Sequence, residues 1–223
     1  MTAAHATLPS ATFADTEAAL QSHSGLNSEH VPQFGNTVLW DLNGVLRRPA
    51  NVSAGAWKLV FSGPLTDPSW NLVARELCMM MFNPRHPALI EAGLSLKPKP
   101  AHPSTAIRAL SHLRRLAYCT NKNRLTAELA TWTSSDVRRC VEALVDDQVS
   151  MTSETSGDDL DVATGLTESE IRAFLGTLQR LHHYRDALTC GGLLEDPCHG
   201  KSACQAARAT AAVPNSSTQA IPP

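Results

Sequence analysis

The sequence is short of aromatic residues. Five Phe, four Trp and two Tyr make up 5% of 223 residues, although 43% are hydrophobic. The core must therefore be built mostly from Leu, Val, Ala and Met. There is no C-x-x-C pair among Cys78, Cys119, Cys140, Cys190, Cys198 and Cys204, so the common redox and zinc spacings are missing. Cys190, Cys198, His199 and Cys204 gather late in the chain, but at no familiar ligand spacing. No metal and no cofactor is expected. No run of about 18 apolar residues occurs, so no membrane partner is expected. The N-terminus lacks a charged segment leading into an apolar one, which makes the cytoplasm the expected location.

The net charge of −2 does not by itself point to nucleic acid. Its distribution says more. Residues 100–140 hold seven Lys or Arg against two acidic residues, whereas 141–170 hold nine acidic residues and no Lys or Arg. A basic patch beside an acidic loop suits a DNA-facing surface.

The expected organisation is all-α, a small helical bundle preceded by an extra helix and an irregular N-terminal region. Residues 1–35 have no Lys or Arg and are rich in Ala, Ser, Thr and His. They read as a disordered tail with a weak helix near Ala14–Ser22. Residues 36–100 form an extension. In it Asp67 caps a helix, Pro68 takes the first helical position, and Trp70, Val73, Leu77 and Met81 make an apolar stripe ended by Pro84. Lys97, Lys99 and three prolines then make a stiff basic linker.

Residues 101–204 read as the helical domain. A helix over about 104–118 starts at Ser104 or Thr105, with Ile107, Leu110, Leu113 and Ala117 inward and Arg108, His112, Arg114 and Arg115 outward. A short helix is expected over Leu125–Ala130. Thr133 and Asp136 open the next helix, with Val137, Val141, Leu144 and Val145 as its stripe. Thr167 and Glu170 form a capping box for a long helix through Leu188, closed by Gly191 and Gly192. Residues 147–165 read as an acidic loop and 205–223 as a disordered, linker-like tail.

Two resemblances follow from particular motifs. "VLWDLNGVL" at 38–46 resembles the first motif of the haloacid-dehalogenase family, with Asp41 in the nucleophile position and Asn43 where that family has its second Asp. "CTNKN" at 119–123 and "GDDLD" at 157–161 resemble its later motifs. The alternative function is thus a phosphatase remnant. The structural context that family needs, alternating strands and helices with each motif at a strand end, is not legible here.

The larger resemblance covers about 60–204. "HPSTAIRALSHLRRLAYCT", "LATWTSSDVRRCVEALV" and "IRAFLGTLQRLHHYRDALTCGGLLEDPC" resemble the SAM-like core-binding domain of tyrosine recombinases, the phage-integrase family. That resemblance implies double-stranded DNA as partner, other recombinase protomers as further partners, and a role in DNA integration and recombination. The family's catalytic Arg, His-x-x-Arg and Tyr belong to a separate domain not represented here. The chain is therefore expected to be a truncated, catalytically inactive form, with no catalytic residue of its own. His112-x-x-Arg115 and His182-x-x-Arg185 fall inside helices and are read as coincidences. The expected phosphate contacts are Arg108, Arg114, Arg115, Lys122 and Arg124, then Arg172, Arg180 and Arg185, with Lys97 and Lys99 gripping from the linker. A non-catalytic helical module that binds protein is the other alternative, suggested by the Met- and Leu-rich helix at 70–82 and the acidic loop, although the Met79–Met81 run itself reads as core.

Overall fold

The computed structural model describes residues 11–21, 30–94, 99–123, 125, 127–145 and 167–211. Two short strands and six α-helices are present among them. The strands are β1 (Leu39–Asp41) and β2 (Lys58–Val60). The helices are α1 (Pro68–Phe82), α2 (Pro87–Glu91), α3 (Pro103–Asn123), α4 (Ser134–Val145), α5 (Glu168–His183) and α6 (Ala203–Ala211). The protein is mainly helical.

α1 is the helix around which the rest is arranged. Asp67 caps it by accepting from the Ser69 and Trp70 amides at 3.0 Å each, and Pro68 supplies a preset φ where no amide is needed. An apolar stripe was expected. Instead every residue from Trp70 to Phe82 is buried, polar ones included. The difference arises because α1 is covered on every side, and its polar residues find backbone partners instead of water. Asn71 donates to the Thr37 and Leu65 carbonyls at 2.9 and 3.0 Å. Arg75 donates to the Phe34 carbonyl at 2.7 Å and to Asn71 Oδ1 at 2.8 Å, and its guanidinium lies 4.5 Å from the Phe34 ring centre. Glu76 accepts from the Thr189 amide at 2.9 Å, from the Thr189 hydroxyl, and from the Thr12 amide at 3.3 Å. Asn83 donates to the Ala19 carbonyl at 2.9 Å.

Those bonds fasten a segment expected to be a disordered tail. Phe13, Ala19, Leu20 and Phe34 are fully buried, and an antiparallel bridge joins Ala18 to Gln33. No helix forms over the described part of Ala14–Ser22. The segment folds through contacts distant in sequence, so it carries no local periodicity. The 36–66 stretch, read from its short apolar runs as extended or irregular, holds both strands. β1 pairs antiparallel with β2, setting Trp40 opposite Leu59, and the ring of Trp40 meets Phe61 edge-on at 5.2 Å.

The expected boundary near residue 100 is not a boundary of the core. One buried apolar cluster extends from Phe13 to Ala207, and the Ala101 amide donates to the Met81 carbonyl at 2.8 Å. α3 packs on α1, β2, α4 and α5. It is capped by His102 rather than by Ser104 or Thr105: the imidazole Nδ1 accepts from the Ser104 amide at 3.3 Å, and Pro103 opens the helix. It also continues to Asn123, beyond the expected end at 118.

The expected short helix over 125–130 is a single 3₁₀ turn at Leu129–Thr131. Thr133 and Asp136 cap α4 reciprocally as expected, and Thr167 and Glu170 form the capping box of α5. α5 ends at Tyr184, well before the glycines expected to close it. Gly192 serves a different purpose. A Cβ there would lie 2.2 Å from the Leu181 carbonyl oxygen, so only glycine lets the returning chain press onto the end of α5. α6 packs on α5, and Ala207 is buried beneath it. This part of the expected C-terminal tail is therefore helical. Among the described residues no helix is long and apolar enough to cross a membrane.

Candidate anion-binding groove

α3 and α5 face one another along two stripes of four-residue spacing. Ser104, Arg108 and His112 lie on α3, and Arg172, Gly176 and Arg180 on α5. Because α-helical residues four apart share a face, each stripe presents its polar groups to the other. Ala109, Ala173 and Gly176 are too small to fill the space between, and a cavity of about 270 Å³ remains. His112 Nδ1 and the Thr177 hydroxyl, both in its wall, share a buried 2.8 Å hydrogen bond. A second cavity, of about 730 Å³, has Thr105, Gly176 and Arg180 in its lining too, so the two are adjacent. Lys99, His182, His183 and Tyr184 help to line it.

The groove is electropositive. Arg108 and Arg172 are exposed, and neither forms an ion pair with a carboxylate among the described residues. Arg180 donates to the Gly176 carbonyl at 3.0 Å and still lines both cavities. Asp196 is the acidic lining residue. It is occupied in accepting from the Cys198 and Gly200 amides at 2.9 and 2.7 Å, and these bonds hold its carboxyl below the usual range although burial acts to raise it. His112 responds to both burial and this charge. Burial first, then the charges of Arg115, Arg108 and Arg180, push its imidazole down to about 4. Glu170 opposes that shift, but its carboxylate is engaged in the α5 capping box.

The structure divides the expected phosphate contacts into groups. Lys99, Arg108, Arg172 and Arg180 line the groove, and half-buried Arg115 adds its field beside it. Arg114 is turned away: its guanidinium donates to the Val60 carbonyl at the end of β2, and burial lowers its pKa. Arg185 donates to the His182 carbonyl at 3.2 Å and lies 3.6 Å from the Asp186 carboxylate. Lys97, Arg124 and the Lys122 side chain lie outside the described residues, as does the acidic stretch at 157–161. His112, expected to face outward, is buried and belongs to the cavity wall. Its signal in the sequence was the Ser104–Arg108–His112 spacing, which matches Arg172–Gly176–Arg180.

Other candidates occupy structural positions. Asp41 is the last residue of β1, paired with Lys58 in an antiparallel ribbon, not a parallel sheet. It accepts from the Asn43 amide and side chain at 2.9 and 2.7 Å and pairs with Lys58 at 3.2 Å. Burial acts to raise its pKa, but those partners outweigh it and leave the carboxyl lowered. Thr120 is buried inside α3, donating to the Ala117 carbonyl at 2.7 Å. Met79 and Met80 are fully buried in α1, and Met81 is buried apart from an edge that lines the larger cavity. All six cysteines are free. Burial pushes Cys78 and Cys140 up to about 12 and Cys198 to about 11, the opposite of a reactive thiolate. No group of His, Cys, Asp and Glu suited to a metal ion occurs among the described residues.

No family model matches the chain, and no curated protein or solved structure matches it.

Proposed function

We propose that this chain binds double-stranded DNA through its backbone phosphates, using the groove between α3 and α5. The observation that carries the reading is the convergence of Arg108, Arg172, Arg180 and Lys99 on one groove, with Arg108 and Arg172 unpaired by any described carboxylate. Unpaired guanidiniums along a groove match the phosphate backbone in charge and can bind its oxygens in a fork. Phosphate contacts position a protein without reading sequence, so the role assigned is to hold a duplex rather than cut it. The resemblance of 60–204 to recombinase core-binding domains supports the same partner and a role in DNA integration and recombination.

Fluorescence anisotropy with a labelled duplex tests this. Binding in the range of roughly 10⁻⁴–10⁻⁶ M at physiological salt is expected. Four engaged cations should give a slope of log affinity against log salt of about −3 to −4. A salt-independent signal would contradict the proposal.

A further inference from the structure

The groove has two unlike compartments, and the difference implies more than a track for a phosphate backbone. The smaller compartment, of about 270 Å³, has the hydrogen-bonded His112 and Thr177 in its wall and is lined by three arginines from two helices. The larger compartment shares Arg180 with it. Its walls mix apolar surface from Met81 and Pro84 with the rings of His182, His183 and Tyr184, and with the Lys99 ammonium.

We infer that this groove is a site for a phosphomonoester carrying a ring-bearing body, such as a nucleoside 5′-phosphate. The phosphate sits among Arg108, Arg172 and Arg180, and the nucleoside lies in the larger compartment. Three lines of chemistry converge on this. A phosphomonoester carries nearly two charges at neutral pH and three accepting oxygens, which match three convergent guanidiniums better than the single charge and two free oxygens of a diester do. The Thr105 hydroxyl on the cavity wall adds a donor beside those arginines, while the Ser104 hydroxyl is hydrogen-bonded to His102 Nδ1 at 2.7 Å. The larger compartment supplies the half-buried rings of His182 and His183, on which a base can stack. Arg180 touches both compartments and would contact the ligand where phosphate joins sugar.

Two sources present this chemistry: a free nucleotide and the 5′-phosphorylated end of a DNA strand. The inference rests on the groove described above but does not require that a duplex interior bind there. Isothermal titration with inorganic phosphate, a nucleoside 5′-monophosphate and the matching nucleoside separates the parts. The monophosphate should bind at least about tenfold more tightly than either fragment, a ratio equivalent to about 1.4 kcal/mol. Arg108→Ala/Arg172→Ala should lose at least that factor, with its circular dichroism unchanged. Equal affinity for nucleoside and nucleotide would overturn the inference, as would an unaltered double variant. The comparison of ligands on the unmodified protein holds even if the variant misfolds.

Anisotropy with duplexes ending in 5′-phosphate or 5′-hydroxyl then assigns the source. A preference for the phosphorylated end identifies a DNA terminus, and nucleotide binding without that preference identifies a free nucleotide. Duplex binding that ignores the end, in a protein that does not bind the monophosphate, sinks the inference and leaves the duplex reading intact. Monophosphate binding with no duplex binding at about 50 mM salt does the reverse.

Discussion

Arg75 and Arg108 are both helical arginines, and the fold uses them in opposite ways. Arg75 sits on α1 with its donors spent on the Phe34 carbonyl and Asn71. Arg108 sits on α3 at the edge of a cavity, exposed and without a described carboxylate partner. Arg114 belongs with Arg75, since its guanidinium is given to the Val60 carbonyl. A buried cation satisfied by backbone carbonyls holds distant segments together. A cation left over at a cavity is available to a ligand. The α1 shell and the α3–α5 groove therefore differ in whether their polar groups are already satisfied, not in composition.

Several substitutions would break or sharpen this contrast. The largest effect belongs to the α1 core. Leu77→Ala removes a fully buried side chain and should cost about 2–5 kcal/mol in urea unfolding, while the protein that remains folded keeps its DNA affinity.

His112 comes next, because it links the groove's charge to stability. Its folded pKa of about 4 lies below the ordinary histidine value, so the unfolded chain takes up the proton first as pH falls. The stability it contributes is complete above about pH 6.5 and is lost as pH drops toward 4, an effect of about 3 kcal/mol. Urea midpoints across that range should show the decline, and His112→Gln should flatten it. A wild-type curve with no slope there would contradict the burial and charge assigned to the cavity.

Arg75→Ala and Arg108→Ala make the direct comparison. Arg75→Ala strands the Phe34 carbonyl and Asn71 and should cost about 1–3 kcal/mol. Arg108→Ala should change stability by no more than about 0.5 kcal/mol and weaken DNA binding instead. The smallest effect is on thiol reactivity. Half-buried Cys190 and Cys204 should react with a thiol reagent in the native protein. Cys78 and Cys140, buried and held near pKa 12, should react only on unfolding.

What was legible in the sequence was whatever has a local cause. The Asp67-Pro68 start of α1, the Thr133–Asp136 cap and the Thr167–Glu170 box are each set by residues within one turn, and each appears where expected. Contacts distant in sequence were not legible. The N-terminal segment shows no period, because it is held by Glu76, Arg75 and Asn83 from far along the chain. The full burial of α1 depends on what surrounds it, which its stripe alone does not encode. In the groove, charge pattern pointed to Lys99, Arg108, Arg172 and Arg180. It could not separate them from Arg114, which differs only in having the β2 carbonyl within reach. The burial of His112 was hidden for a similar reason, since its partner Thr177 lies 65 residues away.

The most direct test removes two charges from the groove and the same two charges from elsewhere. Arg108→Ala/Arg172→Ala and Arg47→Ala/Arg138→Ala carry equal net charge, and all four arginines are exposed. Duplex affinity for both variants and the wild type is then measured by anisotropy across a salt series. If the groove holds the DNA, the first variant loses affinity and its salt slope becomes shallower by about 2, while the second keeps the wild-type slope. If both variants weaken alike, or the wild type shows no binding at about 50 mM salt, the groove is not a DNA site.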